Sequence, residues 1–237
     1  MKKVIFIIIG FLFLMSCSPN EADFKSDVPP LNERITTQNN EPLNNPSTTR
    51  TPEINLYVPF FSQAPDGDWG MPWQEACEEA SVILAYYYAT DQSPTKEKFK
   101  ADIQKLVEWE IENYGQYEHT NIDQTASMLS EVFKFPNFHI STNPTVENLK
   151  TELAQGHVIV APFAGRQLHN PFYSGEGPLY HMLVIKGYDE KNFITNDVGT
   201  RRGENFIYPY QVILSAMHEW HDDDIKLGAK KIIVVTP

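Results

Sequence analysis

Cysteine is nearly absent from this chain. Of its 237 residues only Cys17 and Cys77 carry a thiol, and Cys17 stands where an exported lipoprotein is cut and acylated, which excludes a disulfide and leaves Cys77 as a lone free thiol. Long apolar runs are missing too. The stretch Val4 to Leu14 falls short of the ~20 residues that a bilayer-spanning helix needs. Positive charge is scarce: the formal net charge is -12, and no basic patch with interleaved aromatics occurs, so nucleic acid is excluded as a partner. No internal repeat is present, which excludes a solenoid.

What the amino terminus does contain is Met1-Lys2-Lys3, the apolar stretch, and Leu14-Met15-Ser16-Cys17. A basic start, a short apolar core and small residues before a cysteine make a lipoprotein signal peptide over 1–16. Cleavage leaves Cys17 as the lipidated residue and the chain exported, held at the membrane of the bacterial cell envelope. Residues 17–53 are rich in Asn, Pro and Thr and poor in large apolar side chains, so they cannot offset the entropy of ordering. They read as a flexible tether that holds the following domain about 30–35 Å from its anchor.

Residues 54–237 have the length of one ordinary domain. Tyr57 to Gln63 reads as a short strand with a proline at a sheet edge. Ala76 to Ala89 places Ala76, Ala80, Ile83, Leu84 and Tyr87 on one helical face, with Cys77 in the first turn. Further helices are expected over Thr95 to Tyr114, Asn121 to Phe133 and Val146 to Ala154. The period then changes, and His157 to Ala161, Met182 to Tyr188, Asn192 to Asn196 and Lys231 to Thr236 are short β-branched runs. Helices first and strands later indicate an α+β domain.

A thiol nucleophile needs a lowered pKa, a base and donors for an oxyanion. A helix start favours the thiolate, whereas Glu78 and Glu79 oppose it, so an imidazolium is required. His181 opens a strong apolar strand, and a hairpin through Tyr188-Asp-Glu-Lys-Asn192 returns the chain beside it. Strand neighbours face opposite ways, so either Asn196 or Asp197 orients the ring. Spacing alone does not choose between them.

Phe60-Phe-Ser-Gln63, Trp73-Gln-Glu-Ala-Cys77-Glu-Glu-Ala-Ser81, His181-Met-Leu-Val-Ile-Lys-Gly-Tyr-Asp189 and Phe193-Ile-Thr-Asn-Asp-Val-Gly-Thr200 together resemble, in order, the blocks of the C39-like cysteine peptidases. The resemblance implies a papain-like fold in which a nucleophile helix packs on an antiparallel sheet. It also implies roles: Gln63 in the oxyanion hole, Cys77 as nucleophile, His181 as base and Asp197 as its orienting carboxylate. Two positions depart from the family pattern, Glu78-Glu79 where many members have Gly-Pro and Val198 where many have proline. The expected activity is hydrolysis of peptide or amide bonds in a peptide or protein substrate through an acyl-enzyme, which requires no cofactor. Acyl transfer to an amine and an inactive peptide or cell-wall binding module are the alternatives.

Three other features compete for a role. His218-Glu-Trp-His221 with Asp222 to Asp224 lacks the histidine spacing of a zincin helix and reads as a solvated helix end. Trp69 and Trp73 suit a cleft floor or simple packing on the nucleophile helix. Arg201-Arg202 suits a substrate carboxylate or the acidic surface around it.

Overall fold

A computed structural model describes residues 53–237. The signal segment 1–16, Cys17 and the tether as far as residue 52 lie outside the described residues. The elements in chain order are β1 (Ile54–Asn55), α1 (Cys77–Ala89), α2 (Lys96–Tyr114), α3 (Ile122–Ser127), β2 (Phe138–Thr142), α4 (Val146–Ala154), β3 (Val158–Ala164), β4 (Tyr180–Tyr188), β5 (Asn192–Asn196), β6 (Phe206–Pro209), α5 (Tyr210–Ala216) and β7 (Lys231–Val235). The strands form one antiparallel sheet in the order β2-β7-β3-β4-β5-β6, and β1 pairs with the far end of β4. Helices and an antiparallel sheet share one core, as an α+β domain requires.

Local chemistry explains where the helices begin. Thr95 accepts from the Lys98 N–H at the start of α2, and Asn121 and Gln124 cap α3 reciprocally. These side chains satisfy backbone donors that a helix start leaves open. After Ser127 the expected helix continues as a π-helical turn, Met128–Val132. The α1 helix, expected to be apolar on one face, is buried on nearly every side because it lies between β4 and the helices α2 and α3. A helix enclosed on all sides is apolar all round, apart from the two glutamates discussed below.

Several elements differ from expectation. Tyr57 to Gln63 forms no strand; the strand is Ile54–Asn55, whose partners are Tyr188 and Gly187. Pro59 has no N–H to offer a sheet, and the segment is held instead by its Asn196 contacts and by Gln63 N–H donation to Val198 O (2.9 Å). Strands β2 and β6 and helix α5 have no counterpart in the sequence reading. The first two are sheet margins with half-exposed patterns, and α5 has seven residues, too few to show a helical period. The run from His218 to Asp224 follows α5 as a loop and not as a helix end. Within it Glu219 is buried, accepting from the Ile122 N–H and facing Lys231.

Candidate active site

The site is assembled where α1 begins against β4. Cys77 is the first residue of α1, and the short 3-10 turn Trp73–Glu75 leads into it. Gln63 anchors that turn: its Nε2 donates to Trp73 O at 3.0 Å and Gln74 O at 2.8 Å. The Met182 backbone N–H points at the Cys77 sulfur. The nucleophile candidate therefore sits beside the residue that follows His181.

His181 is the second residue of β4, opposite Phe163 of β3. Its Nε2 donates to Asp197 Oδ1 at 2.8 Å, and both side chains are buried. Because a carboxylate only accepts, the proton sits on Nε2 and Nδ1 is left free to take one. Asp197 follows the last residue of β5, whose Asn196 stands opposite Val184 of β4. The alternation of the strand then separates the two candidates. Asn196 turns away and donates to Val58 O and Pro59 O, whereas Asp197 meets the imidazole.

Asp197 is the most heavily bonded carboxylate of the site. Besides His181 it accepts from Asn170 Nδ2 (2.9 Å), Tyr173 OH (2.7 Å), Tyr208 OH (2.6 Å) and the Gly199 N–H (3.0 Å). Burial by itself raises its pKa; the His181 ring and the two tyrosine hydroxyls outweigh burial and bring it down to about 2. Asn170, Tyr173 and Tyr208 have no signal in the sequence. They come from a loop and from β6, and only the fold directs them to one oxygen pair.

A cleft of about 880 Å³ opens over these groups, and Gln63, Cys77 and His181 all line it. That volume falls within the usual range for a ligand site. Trp69, Phe172 and Leu179 supply exposed apolar surface in its walls. Trp73 does not line it and packs partly buried against the core. Arg201 and Arg202 do line it, and the Arg202 guanidinium lies 4.9 Å from the centre of the Phe172 ring. Neither His218 nor His221 belongs to the cleft.

Two features depart from a simple thiol site. The Gln63 Nε2 is engaged with two carbonyls while its buried Oε1 has no hydrogen-bond partner among the described residues. The glutamates after Cys77 are buried at 1% and 0% exposure and do not face water as a helix's first acidic turn ordinarily does. The Cys77 S–H donates to Glu78 Oε2 at 2.9 Å. Burial, then the charge and hydrogen bond of Glu78, then Glu79, push the thiol well above its ordinary value. The sequence calls for a thiolate held ready by imidazolium, whereas the structure bonds the Cys77 thiol to a carboxylate that disfavours its ionisation.

The description "Peptidase_C39 like family" belongs to the family model that matches residues 55–221. A crystal structure from Bacillus anthracis assigned as a C39-like peptidase superposes with a TM-score of 0.53 at 16% identity, covering 78% of this chain and 98% of the other. No curated protein matches the sequence significantly.

Proposed function

Because this chain belongs to the Peptidase_C39 like family, a cysteine peptidase-like group, we propose that it is a thiol hydrolase that cleaves peptide or amide bonds with Cys77, His181 and Asp197. The observation that carries this reading is the buried His181–Asp197 pair, 2.8 Å apart, in the cleft that also holds the free thiol. His181 Nδ1 takes the S–H proton as the sulfur attacks the carbonyl carbon, then gives it to the leaving amine. Water, deprotonated by the same nitrogen, hydrolyses the thioester and restores the thiol. Asp197 fixes the tautomer.

The Cys77 backbone N–H and Gln63 receive the oxyanion in this proposal. Gln63 does so by turning one N–H from a carbonyl of the Trp73–Glu75 turn toward the substrate. The amino-terminal segment is the lipid anchor and tether, so hydrolysis takes place near the membrane.

Turnover of a peptide library by wild type, Cys77→Ala and His181→Ala tests the assignment. Each replacement is expected to lower kcat/KM by at least about 10³-fold with the fold retained. Turnover that survives Cys77→Ala would mean that the chemistry lies elsewhere.

A further inference from the structure

The feature that the hydrolytic reading leaves unexplained is a carboxylate bonded to its own nucleophile. Glu78 Oε2 accepts from the Cys77 thiol at 2.9 Å and Oε1 accepts from the Thr120 N–H at 3.2 Å. Both oxygens are thereby fixed, and the side chain is 1% exposed. A helix's first turn does not require this: a glutamate there is satisfied by solvent and the nearby N–H groups.

We propose that Glu78 is a positioning residue that restrains the nucleophile: ionised, it accepts the S–H and keeps the proton on sulfur, and protonated, it frees the sulfur for His181. The proposal rests on the assignment of Cys77 and His181 as nucleophile and base. The proton count is simple. A proton from solvent binds the Glu78 carboxylate, the S–H proton passes to His181 Nδ1, and the Glu78 O–H turns to donate to the thiolate. The product is a thiolate and an imidazolium beside a neutral acid, with one proton taken up.

The surroundings of Glu78 favour its neutral form. Cys77, Glu75 and Glu79 face it from its own segment, and Glu110 of α2 lies beyond Glu79 as a carboxyl that burial keeps protonated. From β4 come Tyr180, whose hydroxyl donates to Thr120 O (2.9 Å), and His181 one residue on. Glu219, which is held by Lys231, acts on Tyr180 from the other side. His119 precedes Thr120 and stacks on Trp220. Burial, against the hydrogen bonds of Cys77 and the backbone, brings the Glu78 carboxyl up to about 7. The change of state then falls near neutrality, and the nucleophile is released on the acid side.

The test is alkylation of Cys77 by iodoacetamide, read by mass spectrometry on the full chain from about pH 5 to about pH 9, in wild type and Glu78→Gln. An amide keeps the shape and the Thr120 contact, cannot ionise, and donates to a thiolate. At about pH 8 the variant is expected to react at least about tenfold faster than wild type, as a thiol with a pKa lowered by a unit or more does. Its kcat is expected to persist above neutrality where that of wild type falls. An unchanged or slower alkylation profile in a folded Glu78→Gln protein would overturn the proposal.

If that variant does not fold, carboxyl NMR decides between the outcomes. The Glu78 resonance should titrate near neutrality in wild type and higher in Cys77→Ala, which lacks the S–H donor. A midpoint at the ordinary glutamate value near ~4.3 would refute the restraint. Alkylation and NMR need no substrate, so failure here is distinguishable from loss of the hydrolytic assignment, which turnover of Cys77→Ala reads separately.

Discussion

Gly199 shows how tightly the imidazole is packed. A Cβ at this position would lie 2.8 Å from His181 Cε1, 3.2 Å from Nε2 and 3.2 Å from Tyr173 Cε1. The first distance is below any normal contact, so the ring must tilt, and its bond to Asp197 Oδ1 lengthens. The Gly199 N–H bond to the same oxygen does not depend on the side chain. Gly199→Ala is therefore expected to lower kcat by about 10²-fold, the cost of a misplacement near 1 Å, while melting within a few degrees of wild type. Equal losses in kcat and in stability would show that the glycine serves folding and not the alignment of His181.

At the scale of elements, β1 does more than its two residues suggest. Gly187 in β4 approaches it so closely that a Cβ there would sit 2.1 Å from Ile54 O. Lys186, at the irregularity between β4 and β5, is buried and donates to Asn55 Oδ1 and Leu56 O. Burial lowers its ammonium pKa to about 8. A chain that begins at Ile54 keeps these partners and should turn over peptide as the full chain does. One that begins at Tyr57 loses the buried Ile54 and Leu56 and strands Lys186. It is expected to be destabilised by at least about 3 kcal/mol, measured by urea unfolding. Equal stability of the two shortened chains would remove β1 from the fold's supports, and inactivity of the longer one would place the domain boundary further upstream.

For the whole molecule, the buried acids set how stability depends on pH. Glu79 of α1 and Glu110 of α2 face one another, and no side-chain donor outside the pair satisfies their buried oxygens among the described residues, which favours the protonated form of each. Burial raises both pKa values from 4.5; the charge of Glu78 adds to the rise at Glu79, where the Glu110 hydrogen bond works against it, and Glu79 adds to the rise at Glu110. Their folded values exceed the unfolded ones, so the stabilising contribution is complete below about pH 4.5 and is lost as pH rises. The slope is up to about 1.4 kcal/mol per pH unit for each group. Asp197 has the opposite sign: its contribution is present above its ordinary 3.8 and is lost as pH falls through about 2. Calorimetry should give a higher Tm at pH 5 than at pH 8, and Glu110→Gln should raise the value at pH 8. A Tm that climbs from pH 5 to pH 8 would contradict the raised carboxyl values.

The sequence by itself determined the features that local rules govern. Thr95 and Asn121 mark helix starts because capping is short-range, the period of 157–161 and 182–188 marks strands, and Cys77 is identified by its isolation. The four spaced blocks point to the peptidase family, and to Gln63, His181 and Asp197 with it. Tertiary structure decided what depends on distant partners. Residue reading left Asn196 and Asp197 equal, and β5 separated them by sending one toward Val58 and the other toward His181. Asn170, Tyr173 and Tyr208 converge on Asp197 only because β4, β5 and β6 are neighbours. Glu78 and Glu79 read as first-turn acids that oppose a thiolate, and their burial was not legible: α1 is enclosed by β4, α2 and α3, and that enclosure makes both of them buried acids that act on the thiol.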